Sequence, residues 1–500
     1  MAGSNVQPRG KQVRLGPTGD GGPPRGWAVT RGKADALTSI REFVGHMPVQ
    51  QRELLAAPVR LVPPTMRYGP VYEATRREIL KARSTPWWAR VTVDQRLLDT
   101  MRTASQAPYF ASDARYGPVA SALQGELTAR EALRRLPIMT RQDLSQNYRD
   151  MLAVDESQVE LSASSGTSGE PIFFLLNRNR GAREWAFVVD AWSSTGYKLG
   201  DWRVFFRGVE LPGRRTHLVM RTVGEILVRV AAVGPETSQE LWELICKHRV
   251  RYLHGSPSTL TYLARIVDHA EFDTSWRQEI QGILPVSEQF TPAQEEHLRA
   301  AFPNARISVF YGLSEKTVLA RMDDDHVYHP YPTYGHVELL DPRGRPVPEG
   351  ERGRIVTTTL DGRGMPLLRY DTGDSARLVG HDAIGTPLFR DILARRGREG
   401  LVRTDGELFP TTSFTAHGSE LACVYRFRLR QDVPGRATLQ VQPVPGARRE
   451  DLEAFHQLMC RRAENQVDLD LEIVAELPAS ANGKFSLLDQ RIPDAPTTWA

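Results

Sequence analysis

The sequence predicts an α/β protein: a large N-terminal part of layered sheets and helices with a small β subdomain, followed by a small C-terminal α+β domain. Three observations predict it. Between about 170 and 320, strand-like and helix-like runs alternate, the pattern of a largely parallel sheet covered by helices. From about 333 to 395, short apolar runs are separated by Asp-Pro, Gly and Pro turns, which marks a β subdomain. After Arg395-Arg396-Gly397-Arg398 the chain restarts with strands, a helix and a further strand, enough for a compact unit of its own. The expected division is a disordered basic tail (1–35), a core domain (36–396) and a C-terminal domain (397–500).

The elements follow in order. Residues 1–35 are rich in Gly, Pro and Arg and lack an apolar pattern, as a disordered tail or a weak docking arm for an acidic partner would. From 36 to 150 the chain reads as mostly helical, with apolar residues at helical spacing over Val71–Ala82 and Val93–Met101. Thr128-Ala129-Arg130-Glu131 has the form of a capping box, and Pro137 ends the helix it opens. Leu136-Pro137-Ile138-Met139-Thr140 leads into another short helix. A strand is expected over Ile172–Leu176, then over Val204–Phe206, Val250–His254, Ile280–Val286 and Ile307–Phe310. Helices are expected over Ser238–His248, Pro257–His269 and Pro292–Phe302. Ser256-Pro257 and Thr291-Pro292 place a capping residue ahead of a first-turn proline. The β subdomain holds Val337–Leu340, Ile355–Thr359, Leu367–Arg369 and Ala376–Val379. Beyond it, Val424–Arg430, Thr438–Gln442 and Leu471–Val474 read as strands, and Arg449–Asn465 as a helix with Leu452, Phe455 and Met459 on one face.

Composition narrows the class. The 500 residues are 40% hydrophobic and 25% charged, and no apolar run approaches the ~20 residues a membrane helix needs. The N-terminus lacks the apolar core of a signal peptide. Three scattered cysteines, Cys246, Cys423 and Cys460, define neither a disulfide framework nor a zinc site, and fit a reducing cytoplasm. A net charge of +4 gives no argument for a nucleic-acid partner.

Five stretches carry candidate chemistry. Ser162-Ala163-Ser164-Ser165-Gly166-Thr167-Ser168-Gly169-Glu170-Pro171 offers hydroxyls, backbone N–H groups and glycines at a density suited to wrapping a phosphate. It lacks the spacing of a Walker loop. Tyr311-Gly312-Leu313-Ser314-Glu315 follows a strand expected to end at Phe310. Tyr370-Asp371-Thr372-Gly373-Asp374 follows the strand-like Leu367–Arg369 as a turn. Gly397-Arg398-Glu399 sits at the interdomain break, and Pro478-Ala479-Ser480-Ala481-Asn482-Gly483-Lys484 lies near the C-terminus. Each alone reads as an ordinary turn, cap or solvated loop.

Their order along one chain resembles the adenylate-forming superfamily of acyl-CoA synthetases, adenylation domains and luciferases. The Tyr-Gly-Leu-Ser-Glu stretch and the lead-in Leu136–Asn147 are most similar to its phenylacetate–CoA ligase-like branch, and the resemblance runs from about 70 to 490. It implies an ATP- and Mg2+-dependent ligase with a mobile C-terminal domain. Ser164, Ser165, Gly166, Thr167, Ser168 and Gly169 would hold the β- and γ-phosphates of ATP. Tyr311, with Gly312 and Ser314 beside it, would stack on adenine, and Ser287 and Glu288 would line the adenine pocket. Glu315 would ligand Mg2+, Asp374 would take the ribose hydroxyls, and Arg398 would lie near ribose and phosphate. Lys484 would bridge the reacting carboxylate and the α-phosphate. The acid pocket would involve Trp185–Trp192, His254-Gly255 and the Val286 region, apolar to aromatic residues that suit a small ring-bearing acid.

Two departures stand out. Glu170 occupies a place where lysine is common, which adds negative charge beside the phosphates. Glu399-Gly400 stands where paired aspartates are common, which changes charge and backbone freedom at the hinge. CoA is the expected acceptor. An amine, hydroxyl or carrier-protein thiol, an inactive nucleotide-binding scaffold, and a homodimer all remain open at the level of sequence.

Overall fold

A computed structural model describes residues 64–163, 173–177, 180–207, 211, 215–394, 400–414, 423–463, 465–477 and 485–493. The expectations for the tail, the phosphate loop, Arg398 and Lys484 lie outside these residues.

The helical lead-in is as the spacing predicts. Helices α1 (Pro64–Ser84) and α2 (Pro86–Ala104) are followed by α3 (Pro108–Ala111), α4 (Gly117–Leu123), α5 (Ala129–Arg135) and α6 (Arg141–Asn147). Val93, Leu97, Met101 and Ala104 recur at the helical period along α2 and are buried, so this stripe supplies much of the first core. Thr128 and Glu131 close the capping box of α5, and Thr140 and Asp143 close a second one on α6.

Two strands flank the Ser/Gly loop: β1 (Val159–Ala163) and β2 (Phe173–Asn177) pair antiparallel, Ala163 opposite Phe173. Only the second strand was expected; Val-Glu-Leu-Ser-Ala is too short and too polar to announce the first.

After α7 (Arg180–Trp192) comes the α/β layer. Its strands are β3 (Arg203–Arg207), β4 (His217–Met220), β5 (Glu225–Arg229), β6 (Tyr252–Gly255), β7 (Gly282–Pro285) and β8 (Arg306–Ile307), in the order β4-β5-β3-β6-β7-β8. All neighbours are parallel except β4 and β5. Helices α8 (Pro235–Lys247), α9 (Pro257–Asp268) and α10 (Pro292–Ala301) cover it, packing Trp242, Leu263 and Leu298 onto Val204, Leu253 and Ile283. Ser256 and Thr291 each accept a first-turn backbone N–H, which fixes where α9 and α10 begin. The edge pair β4–β5 was not expected from the sequence.

The β subdomain is larger than the sequence suggests. Strands β9 (Phe310–Gly312), β10 (Leu319–Met322), β11 (Tyr328–Pro330), β12 (Gly335–Leu340), β13 (Arg352–Thr359), β14 (Tyr370–His381) and β15 (Pro387–Leu393) form one antiparallel sheet, ordered β12-β13-β14-β15-β11-β10-β9. Two expectations are corrected here. The run Ile307–Phe310 is not one strand: β8 ends at Ile307, and Phe310-Tyr311-Gly312 opens the next sheet. Leu367–Arg369 is not a strand, and Tyr370–Asp374 is not the turn after one but the start of the twelve-residue β14.

The C-terminal part contains β16 (Gly400–Val402), β17 (Leu408–Pro410), β18 (Val424–Val433), β19 (Arg436–Pro443), α11 (Arg449–Arg462), β20 (Asp468–Ile473) and β21 (Leu488–Gln490). The four longer-range strands order as β20-β19-β18-β21, and Leu452, Phe455 and Met459 of α11 pack onto Leu429, Leu439 and Val441. Helix α11 stops at Arg462, short of the expected Asn465. Gly400 is explained by packing rather than by freedom: a Cβ there would lie 2.7 Å from the Phe409 carbonyl oxygen across the β16–β17 pair. Tyr425 and Val444 leave this core and join the one under α9.

Candidate active site

The sheet junction at Phe310–Gly312 places the first candidate. Tyr311 lies on β9 opposite Ala320 of β10, and its hydroxyl donates to Asp374 Oδ2 over 2.7 Å. Asp374 reaches it because β14 bulges. Between the pairs Val356–Asp371 and Arg354–Ser375 the ladder shifts register, and the extra residues of β14 arch out. Gly373 sits at φ 77°, in the left-handed region that favours glycine. Asp371 Oδ1 accepts the Gly373 N–H at 2.9 Å, and Thr372 Oγ1 accepts the Asp374 N–H at 3.1 Å while donating to the Ile355 carbonyl at 2.8 Å. Arg354 holds Asp371 at 3.0 Å. The Thr-Gly-Asp stretch is thus a bulge that re-aims one carboxylate, a common device beside functional sites. Burial, and then the neighbouring Asp374 carboxylate, push the Tyr311 hydroxyl well above its ordinary value, so it stays a proton donor.

Glu315 is placed from two directions. It sits in the tight turn after β9, where Lys316 N–H returns to the Leu313 carbonyl and Lys316 takes φ 58°. Its side chain is only 6% exposed. Oε1 accepts the Tyr370 hydroxyl at 3.0 Å and faces Arg141 Nη1 at 3.9 Å. Tyr370 is fixed in turn by the lead-in segment: Met139 takes the Arg369 carbonyl and gives its own to Asp371 N–H, at 2.9 and 2.8 Å. Arg141 opens α6 just beyond. The Leu136–Asn147 stretch therefore aligns Tyr370 and aims a cation at Glu315.

A network the sequence did not announce braces this turn. Lys316 Nζ meets Glu184 Oε1 at 2.9 Å, Tyr334 donates to Glu184 Oε2 at 2.5 Å, and Arg180 donates to the Lys316 carbonyl at 2.7 Å while lying over the Tyr334 ring. Burial works against the Glu184 charge, but Lys316 and Arg180 outweigh it and hold the carboxyl below its ordinary value. Charged residues on an amphipathic helix such as α7 read as solvated, so no signal in the sequence singles them out.

The remaining candidates divide. Ser287 follows β7 at φ 75°, and Glu288 Oε2 accepts the Ser258 N–H at 3.2 Å, at the first turn of α9. Gly312 and Ser314 are exposed beside Tyr311 and Glu315. The structure thus brings together Tyr311, Asp374 and Glu315 through Tyr370, and sets Ser287 and Glu288 at the carboxyl end of the parallel sheet. Ser164, Ser165, Gly166, Thr167, Ser168, Gly169, Arg398 and Lys484 lie outside the described residues.

The residues expected around an acid pocket form an aromatic layer between α7 and the parallel sheet. His254 stacks on Phe205 at 4.1 Å and meets the Trp192 edge at 4.7 Å; Trp185 packs on Trp192 at 5.7 Å. Burial, then Arg203 and Arg207, hold His254 well below its ordinary value, so its ring is neutral at pH 7. Arg203 itself is paired with Glu225 and lies over the Trp185 ring. Gly255 lets β6 pass Phe206 closely, since a Cβ would meet the Phe206 Cβ at 3.0 Å.

Comparison with known proteins finds similarity over part of the chain. The family described as AMP-binding enzyme matches residues 218–360, which span the end of the parallel sheet, Tyr311 and Glu315. The phenylacetate–coenzyme A ligase of Pseudomonas putida is 28% identical over 273 residues, 51% of this chain and 59% of that protein. That of Aromatoleum evansii is 28% identical over 302 residues, 56% of this chain and 64% of its own. The match to that of Escherichia coli K12 is 26% over 298 residues, 56% of this chain and 65% of its own, so the chain spans under two-thirds of each relative. Among solved structures, a 2-hydroxyisobutyryl-CoA ligase in the postadenylation state with 2-HIB-AMP superposes with a TM-score of 0.57 at 17% identity, over 79% of this chain and 88% of that one. The same ligase with R3-HIB-AMP gives 0.56 at 16%, over 80% and 88%. The structural likeness establishes the shared fold. Residues 218–360 therefore match the AMP-binding enzyme family, and about half of the chain is similar to phenylacetate–coenzyme A ligases.

Proposed function

We propose that this chain is an AMP-forming acid–thiol ligase that activates a small, ring-bearing carboxylic acid with ATP and passes the acyl group to CoA. One observation carries the reading: the Tyr311–Asp374 contact and Glu315 are assembled side by side by β9, the β14 bulge and the lead-in segment. Tyr311 offers an aromatic face for the base. The Asp374 carboxylate, aimed by the bulge, suits two vicinal ribose hydroxyls. The stretch 164–169 is assigned to the phosphates, Ser287 and Glu288 to the adenine side, and Arg398 to ribose and phosphate.

Glu315 fits a magnesium ion. It is a buried hard-oxygen donor, and both of its described contacts fall on Oε1. Among the described residues no group of three His, Cys, Asp or Glu gathers, so a cation here would depend on phosphate oxygens beside Glu315. Magnesium, when bound, supplies charge neutralisation on the phosphates. In the first half-reaction a carboxylate oxygen attacks the α-phosphorus and the bond to pyrophosphate breaks. Lys484 is assigned the charge that builds between carboxylate and α-phosphate. In the second, a thiol sulfur attacks the acyl carbon and AMP leaves. The aromatic layer of Trp185, Trp192 and Phe205 supports a ring-bearing acid. The unit 397–500 is assigned the movement between the two half-reactions, in a cytoplasmic enzyme.

Incubation with ATP, magnesium, a substrate acid and CoA tests the acceptor. Mass spectrometry is expected to show an acyl-CoA whose rate of formation rises with CoA concentration. Acyl-adenylate, AMP and free acid alone, with acylation of an added amine, alcohol or carrier protein, would transfer the reading to that acceptor.

A further inference from the structure

A buried guanidinium of the C-terminal sheet packs on α9. Arg426 lies on β18, 7% exposed, with its guanidinium 3.5 Å from the centre of the Tyr262 ring on α9. Burial lowers it to about 10, which leaves it cationic at neutral pH, as a cation over an aromatic face requires. The same group touches both flanks of the segment 478–484. Nη1 donates to the Leu477 carbonyl at 3.3 Å, and the Phe485 ring lies 5.2 Å away on the other side. Gln442 completes the arrangement: its amide donates to the Tyr262 hydroxyl at 2.9 Å, and its oxygen accepts the Leu477 N–H at 3.1 Å. One turn along α9, Arg265 donates to the carbonyls of Val424 and Tyr425 at 3.0 and 2.7 Å, so the start of β18 is tied down as well. Arg426 Nε and Nη2 are buried and have no acceptor among the described residues. Leaving such atoms unsatisfied is costly, so a guanidinium is a poor choice here for stability alone.

We propose that Arg426 is a positioning residue that fixes residues 477 and 485, and through them Lys484, against Tyr262 of the large unit. Its role in catalysis rests on the assignment of Lys484 above; the clamp itself does not. Leu477 and Phe485 both meet one guanidinium, and a chain tied at two points has fewer placements open to it than a chain tied at one. The anchor also lies on α9, whose first turn is capped by Glu288, so the flanks of 478–484 are referenced to the segment assigned to the nucleotide. Among the described residues Arg426 makes no hydrogen bond to a group assigned to ATP; it feels the Glu288 carboxylate electrostatically and acts through what it holds.

The test uses the full chain and three variants, Arg426→Met, Arg426→Lys and Tyr262→Leu. Hydrogen–deuterium exchange reads the clamp without any substrate. Arg426→Met and Tyr262→Leu, which attack it from opposite sides, are expected to speed exchange in peptides containing 477–485 by roughly threefold or more, with peptides of α2 and β13 unchanged. Arg426→Lys, which keeps a cation and a donor, is expected to fall between them and wild type. Pyrophosphate–ATP exchange reads the consequence. Arg426→Met is expected to lower kcat ~10- to 100-fold with KM for ATP little changed. Thioester formation from supplied acyl-adenylate is expected to stay near wild type, a split that general destabilisation would not produce. Exchange in 477–485 that matches wild type in Arg426→Met overturns the clamp whatever the activity, and if that variant does not fold, a wild-type profile in Tyr262→Leu overturns it equally. A loosened segment in a protein that activates no acid keeps the clamp and removes the ligase reading instead.

Discussion

The Tyr311 hydroxyl donates to Asp374 Oδ2 over 2.7 Å, from one edge strand of the antiparallel sheet to a bulge in its long central strand. The contact joins residues 63 apart in sequence and sets both a ring face and a carboxylate at one place.

Replacing Asp374 by alanine is expected to weaken ATP binding by ~10- to 100-fold, the loss of a hydrogen bond to a charged acceptor worth about 1.5–3 kcal/mol. Tyr311→Phe keeps the ring and removes only the shared proton, so its loss is expected to be smaller. The double variant is expected to lose less than the sum of the two, because each single change already breaks the same contact. Titration calorimetry with ATP measures all three; an unchanged dissociation constant for Asp374→Ala removes the ribose role.

Glu315→Gln keeps an acceptor for the Tyr370 hydroxyl but removes the negative charge. The expected result is a higher magnesium concentration for half-maximal activity, by about tenfold or more, with a nearly unchanged melting temperature. A magnesium dependence identical to wild type would assign Glu315 to structure alone.

Glu78 predicts an acid limb in stability. Arg96 and Arg183 both grip its carboxylate, at 2.6–3.3 Å, and both also donate to the Thr333 carbonyl, tying α1, α2 and α7 to the loop before β12. Burial pushes the carboxyl up, but the two arginines outweigh it and hold it at about 2. A depressed carboxylate contributes stability above its unfolded value of 4.5 and loses it as pH falls toward 2. The contribution at neutral pH is about 3 kcal/mol. Urea unfolding of Glu78→Gln between pH 7 and 3 is expected to show lower stability at pH 7 and a flatter decline below 4.5 than wild type. Parallel curves would contradict it.

Deleting residues 1–35 is expected to leave the melting temperature and carboxylate activation nearly unchanged, since the stretch has too few apolar residues to bury a core of its own. A fall of more than a few degrees would show that it packs on the body.

Local rules carried the sequence reading where a residue acts on its own neighbours. Thr128, Ser256 and Thr291 cap the helices expected of them, and the spacing of Leu452, Phe455 and Met459 defines the buried face of α11. The reading failed where a local signal has two tertiary uses. Thr372-Gly373-Asp374 has the composition of a turn, yet a strand absorbs it as a bulge because β13 pairs on both sides of it. Tyr311 and Glu315 were legible as motif residues, but their partners Asp374 and Tyr370 become neighbours only when β9 and β14 join one sheet. The Lys316–Glu184–Tyr334 brace and the Arg426–Tyr262 contact join residues 132 to 164 positions apart. Nothing in either segment distinguishes such charges from solvated ones.

The central claim is that this site joins a carboxylate to AMP. Carboxylate-dependent exchange of labelled pyrophosphate into ATP, run over a panel of small aromatic and aliphatic acids with wild type and Lys484→Ala, tests it most directly. The account predicts exchange with at least one acid, dependent on magnesium. It also predicts loss of that exchange in Lys484→Ala with an unchanged melting temperature. Exchange in Lys484→Ala within a few-fold of wild type, or none with any acid in wild type that binds ATP, would contradict it.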